Sequence, residues 1–259
     1  MSVRAERVPI RDGRVTFEVK VAGAGAPLVF FHSFDGLPVW PELLARLAER
    51  HTVLAPLHPL PGDGVESLDD VVDLALAHDE LLEALRLPSA HLVGHFSGGM
   101  MAAELAAFFP PRAQKLVLVS PMGLWLDHAP VADALILPSD ELSPLLWQDP
   151  ASPVARAWTP EPPDEEARVA AQIAAVERLA ALARFVWPIP DKGLKKRLHR
   201  IGAPTLLLWG ENDRLNPLTY GEEFTRRIKT AALRVVEGGH MWLHEQPEVA
   251  ARTILEFLA

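Results

Sequence analysis

Along this chain the apolar positions switch between two periods, and the switches lay out strands and helices in alternation. Val8-Pro9-Ile10-Arg11 and Val15 to Val21 alternate apolar and polar on either side of Asp12-Gly13, which signals a hairpin. Leu28-Val29-Phe30-Phe31 is a continuous apolar run, as expected of a strand covered on both faces. A period near 3.6 then puts Leu43, Leu44 and Leu47 on one face of a helix over about 39–50. Further strands are expected at Thr52 to Ala55, Ala90 to Val93, Lys115 to Ser120, Thr205 to Trp209 and Leu233 to Val236. Helices are expected over 67–87, with Ser67 as N-cap, and over 100–109, 217–229 and 246–258. Alternating strand and helix with buried strands predicts a mostly parallel sheet flanked by helices.

From Pro121 to Ala203 the strand pattern is absent. Candidate helices lie near 139–147, 164–186 and 191–200, separated by prolines and tryptophans. The stretch is far longer than the roughly 30 residues of a whole βαβ unit. It predicts a helical insertion over 122–200 that forms a lid across the sheet's C-terminal edge, with 1–121 and 201–259 as the two parts of one α/β core.

Composition narrows what such a fold does. The chain has 259 residues, 49% hydrophobic and 23% charged, and a formal charge of -9. That balance suits a globular protein and argues against nucleic acid as a partner, which needs a concentrated positive face. No apolar run reaches the roughly 18 residues that span a bilayer. The first residues, Met1 to Arg7, lack the apolar core of a secretory signal, so a cytoplasmic protein is expected. There is no cysteine, which excludes disulfides and thiol chemistry. No histidine–carboxylate spacing reads as a metal site, and no Gly-x-Gly-x-x-Gly follows the first strand, so neither metal nor cofactor is expected. Oligomeric state is left open. Lys192, Lys195, Lys196, Arg197 and Arg200 read as a solvated helix face.

Three segments carry the candidate chemistry. Gly94-His95-Phe96-Ser97-Gly98 joins a buried strand to a helix, and its glycines suit a sharp turn where backbone crowds backbone. Gly210-Glu211-Asn212-Asp213 puts a carboxylate at the end of a later strand, and Gly238-Gly239-His240 puts an imidazole after the next. Turn residue, acid, histidine is the chain order of the nucleophile-elbow hydrolases. On these segments, together with Phe31-His32, Leu92-Val93-Gly94-His95, Gly98-Gly99, Leu116 to Val119, Trp209 to Arg214 and Glu245-Gln246-Pro247-Glu248, the chain resembles the α/β-hydrolase family. The likeness runs over nearly the whole length and is to the small capped bacterial members. It implies Asp213 as triad acid, His240 as triad base, and an oxyanion hole from the N–H groups of Phe34 and Ser97.

One departure stands at the centre. The family places serine where this chain has Phe96, with Ser97 one step later. Two readings stand: Phe96 sits at the tip, which sterics favour, or the turn shifts so that Ser97 serves as nucleophile. Ser33 replaces a usual glycine, and His240-Met241-Trp242-Leu243-His244 exchanges the family's later histidine and leucine. Two exchanges near one pocket read as a redesigned site, natural or engineered. With Phe96 at the tip, an Asp213-backed His240 is a general base facing an apolar chamber. Trp125, Trp147, Trp158, Phe185 and Trp187 in the lid, with Ser33, Trp242 and Leu243 from the core, are the expected surroundings of a small apolar substrate. His32 and His95 read as structural, and His58 and His244 as pocket or surface. Three functions follow: hydrolysis of a small apolar ester or acyl compound, cofactor-free general-base catalysis by the His240–Asp213 dyad, or silent binding of a small ligand.

Overall fold

The computed structural model describes residues 2–188 and 191–259. One eight-stranded sheet carries the chain, in the order β1-β2-β4-β3-β5-β6-β7-β8. β1 (Arg4–Ile10) and β2 (Val15–Ala22) form the expected antiparallel hairpin, and β2 also runs antiparallel to β4 (His51–Pro56). β3 (Ala26–Phe31), β5 (Ala90–His95), β6 (Ala113–Val119), β7 (Thr205–Gly210) and β8 (Ala231–Val236) complete a parallel block with β4. Among the described residues no helix is long and apolar enough to cross a membrane.

The strand period of two divides the core. Val29, Phe31, Leu116, Leu118, Leu207 and Trp209 pack on one face of the sheet. Leu28, Phe30, Val117, Val119, Leu206 and Leu208 pack on the other. The first face is covered by α2 (Val71–Ala84) and α3 (Ser97–Phe108), the second by α1 (Glu42–Leu47) and α9 (Pro247–Leu258). α7 (Thr219–Arg227) packs on β7 and β8, and the one-turn α8 (Trp242–Glu245) precedes α9. Between β6 and β7 lie α4 (Ser139–Leu146), α5 (Pro153–Trp158) and α6 (Glu165–Val186).

Several expected boundaries move for local reasons. α2 starts after Asp70, whose carboxylate accepts from the N–H groups of Val72 and Asp73; Ser67 instead donates to the Gly64 carbonyl. The helix expected near 191–200 is a pair of 3-10 turns, Leu194–Lys196 and Leu198–Arg200, entered through Gly193 at φ 93°. Residues 189 and 190, within the expected lid, lie outside the described residues. Arg197 does not belong to a solvated face. Its guanidinium holds the fully buried Glu104 of α3 through two bonds of 2.7 and 2.6 Å, so the last part of the insertion is pinned to the core.

Strand register sets where the loops emerge. Phe31 pairs with Gly94, His95 with Val119, Val119 with Leu208, and Gly210 with Val236. The loops that follow these residues therefore leave the same edge of the sheet side by side.

Candidate active site

The turn after β5 is held by backbone crowding. A side-chain carbon on Gly98 would sit 2.1 Å from the Phe31 carbonyl oxygen, and one on Gly94 2.4 Å from that of Gly98. Only glycine fits either place. Phe96 occupies the corner between them at φ 47°, ψ -106°, in the half of backbone space that L-residues resist. Its N–H donates to the Val119 carbonyl, and its own carbonyl accepts from Met100 and Met122. Ser97 lies one step further on, as the first residue of α3. It is fully buried, and its hydroxyl has no hydrogen-bond partner among the described residues.

His240 and Asp213 meet as the register requires. The ring Nδ1–H donates to Asp213 Oδ2 at 2.8 Å, and both side chains are fully buried. Asp213 Oδ1 accepts from the N–H groups of Leu215 and Asn216, so the carboxylate is fixed by its own turn. The Asn216 amide then donates to the carbonyls of Ser120 and Pro121, tying that turn to the end of β6. This residue escaped the sequence reading; its signal was an asparagine three places after the acid. The second ring nitrogen of His240, Nε2, is buried and has no partner among the described residues. The Phe96 ring stands edge-on to the imidazole at 4.8 Å and 89°, and Phe34 stands edge-on to Phe96 at 5.9 Å. Thus the base is braced by a carboxylate and faces an arene, and Ser97 makes no hydrogen bond to it.

Around the dyad, imidazoles stack. His95 lies 4.8 Å from His240, and His244 lies 6.1 Å from His95 and 4.2 Å from Trp158. Burial pushes His244 down to about 3 and His95 well below its ordinary value, with neighbouring His240 adding to both. Both are therefore neutral at physiological pH. His32 donates from Nδ1 to the Ser33 carbonyl at 2.7 Å. Ser33 is buried at the same loop with its hydroxyl unpartnered. The Phe34 and Ser97 N–H groups make no hydrogen bond among the described residues.

The expected pocket residues divide. Trp147 and Trp158 line an open cavity of about 510 Å³ between α4, α5, α6 and the Phe34–Asp35 loop. Trp158 donates its indole N–H to Asp35, a bond between α5 and the loop after β3. Trp242 and Leu243 are corrections: α8 turns them into the second core face, against α1 and α9. Trp187 is another, half exposed at the end of α6 and bonded to Asp133. Trp125 bonds Asp127 and is not part of that cavity's lining, and Phe185 is buried in the core. Directly over Phe96 the open space is only about 20 Å³, enough for about one water molecule. It is walled by Phe34, Met122, Leu124, Val131, Leu135 and Leu182. Residues 120–138, which supply four of these, contain neither helix nor strand. No group of three His, Asp or Glu side chains among the described residues is placed to hold a metal ion.

Comparison with known proteins bears on this geometry. The family described as alpha/beta hydrolase fold matches residues 26–247. The "Putative carbamate hydrolase RutD" of Variovorax paradoxus (strain S110) is 29% identical over 231 residues, covering 85% of each chain. The 2-hydroxy-6-oxo-6-phenylhexa-2,4-dienoate hydrolase of Comamonas testosteroni is 28% identical over 195 residues, 69% of this chain and 65% of its own. Among solved structures, naproxen esterase from Bacillus subtilis superposes with a TM-score of 0.73 at 16% identity, over 100% of this chain and 92% of that one, a likeness of fold.

Proposed function

The chain belongs to the alpha/beta hydrolase fold family, and from that premise we propose that it is a hydrolase-like enzyme that cleaves a small apolar ester or related acyl compound with water activated directly by His240. The observation that carries this reading is the buried His240–Asp213 bond facing Phe96, where the family places its nucleophile. The base, its orienting acid and the apolar chamber are kept, while the hydroxyl that would form an acyl-enzyme is not. The relatives named above, a carbamate hydrolase and a dienoate hydrolase, support an acyl substrate.

In this reading His240 Nε2 takes one proton from water as its oxygen attacks the carbonyl carbon. The oxyanion of the tetrahedral intermediate accepts from the N–H groups of Phe34 and Ser97, the latter at the start of α3 where backbone donors lack helical partners. Collapse breaks the bond to the leaving group, which recovers the proton from Nε2. General-base catalysis of this kind supplies about 10²–10⁴-fold in rate. The Phe96 ring must swing off the imidazole first, giving up edge contacts worth about 0.5–1.5 kcal/mol each. Residues 122–135, in the lid, open with it.

The test is turnover of short-chain p-nitrophenyl esters. His240→Ala should lower kcat/KM by about 10²-fold or more, and Asp213→Asn should follow it. A second reading, a silent binder of small apolar ligands, is favoured by the open cavity of about 510 Å³ lined by Trp147 and Trp158. Saturable ligand binding with turnover unchanged by His240→Ala would select it.

A further inference from the structure

A third cavity, of about 320 Å³, also has Phe34 in its wall and lies outside the proposed hydrolysis. It is bounded by β2, the loop after β3, the loop after β4, and α6. Its polar lining is unusual in a chain of net charge -9. Lys20 enters from β2 and gives one hydrogen to the Leu37 carbonyl at 3.0 Å, which leaves two ammonium hydrogens uncommitted by that bond. Arg178 enters from α6, its stem lying over Gly36, where a Cβ would meet Arg178 Cδ at 3.4 Å. Neither cation forms an ion pair among the described residues. Asp35 is the acidic group of the lining, and one of its oxygens is occupied by Trp158. Two cations against one carboxylate leave the cavity with a positive charge.

The imidazoles add to this. His32 is 95% buried, its Nδ1 is committed to Ser33, and its Nε2 has no partner. His58 stands edge-on to it at 4.6 Å with both ring nitrogens shut from solvent and unpartnered. Both imidazoles are thus held in the cavity wall, where a bound charge acts on them at short range. Leu57, Leu60, Phe34 and Pro38 supply apolar walls between the polar groups.

We propose that this cavity binds a small carboxylate with an apolar body, its anionic head held by Lys20 and Arg178. The apolar body lies against Phe34 and the leucines. The site contains neither Phe96 nor His240 and shares only the Phe34 loop with the hydrolytic reading. Binding also draws in protons. Burial holds His32 to about 4 and His58 well below its ordinary value, and it pushes Asp35 up to about 6. The charged and titratable groups around them are Lys20 from β2, His78 from α2, Arg178 from α6 and His240 after β8. A bound anion favours the protonated form of each, so affinity rises as pH falls.

Titration of the whole chain with sodium benzoate and its neutral isostere benzamide, followed by calorimetry and by histidine ring NMR, tests this. Saturable benzoate binding about tenfold or more tighter than benzamide is expected, with the His32 and His58 signals shifted. Lys20→Met and Arg178→Met should each weaken benzoate about tenfold, and His240→Ala should leave it unchanged. Affinity should be greater at about pH 5.5 than at about pH 7.5, both above the ordinary carboxyl range. Equal affinity for the two probes, no saturable benzoate binding by the folded chain, or shifts confined to His240 and His95 would overturn the proposal.

Discussion

Phe96 holds a backbone geometry that costs about 1–3 kcal/mol, and its ring fills the space in front of His240. Serine at that corner would put a hydroxyl beside Nε2. Phe96→Ser should therefore raise p-nitrophenyl ester hydrolysis about 10²-fold or more and make the chain reactive toward a fluorophosphonate. The same change removes a buried ring, so urea unfolding should show a loss of up to about 3–5 kcal/mol. No gain in rate from a folded variant would mean that Nε2 does not reach the corner. The pairing of Asp213 with His240 is legible in the sequence because each follows a strand pattern and a glycine in a fixed order. The meeting of Asp35 with Trp158, or the sharing of one cavity by Arg178 and His58, is not. Those residues lie more than a hundred positions apart and meet only because α5 and α6 fold back over the loops of the sheet edge.

Elements were readable where one signal dominates. The strands announce themselves by period two or by unbroken apolar runs, although β1 begins at Arg4, ahead of the expected Val8, and α6 stands where a helix over 164–186 is expected. α5 was missed because Pro153 reads as a breaker, although proline at the first helical position after Ser152 is a start signal. The expected helix at 191–200 fails because Gly193 turns the chain left-handed. Its Arg197 instead anchors the insertion to Glu104 on α3. Arg197→Ala leaves a carboxylate buried and alone, and should cost about 3–5 kcal/mol in chemical unfolding. Adding Glu104→Gln should recover part of that loss; if the single variant is neutral, the ion pair is not what holds the insertion. Gly98→Ala, with Phe31 backbone in the way of its methyl, should disrupt the turn and cost at least about 2 kcal/mol.

Over the whole molecule, buried imidazoles set the response to acid. His32 and His78 are held to about 4, His244 to about 3, and His58 and His95 well below 6.5, all by burial first. The unfolded chain thus binds more protons than the folded one between these values. Stability is complete above 6.5 and falls as pH drops toward about 4, by about 1.4 kcal/mol per pH unit for each such group. Asp35, pushed up to about 6, and Glu104 and Glu245, also raised by burial, act in the opposite sense, but three carboxyls do not reverse five imidazoles. The urea midpoint should therefore decline steeply from pH 7 to pH 5, and a flat profile would show that these rings are not buried neutral. Catalysis by the dyad without a covalent intermediate is tested most directly by mass spectrometry of the intact chain during turnover of a p-nitrophenyl ester, followed by peptide mapping. The expected spectrum shows unmodified protein while product accumulates; an acyl group mapped to Ser97 would contradict the account.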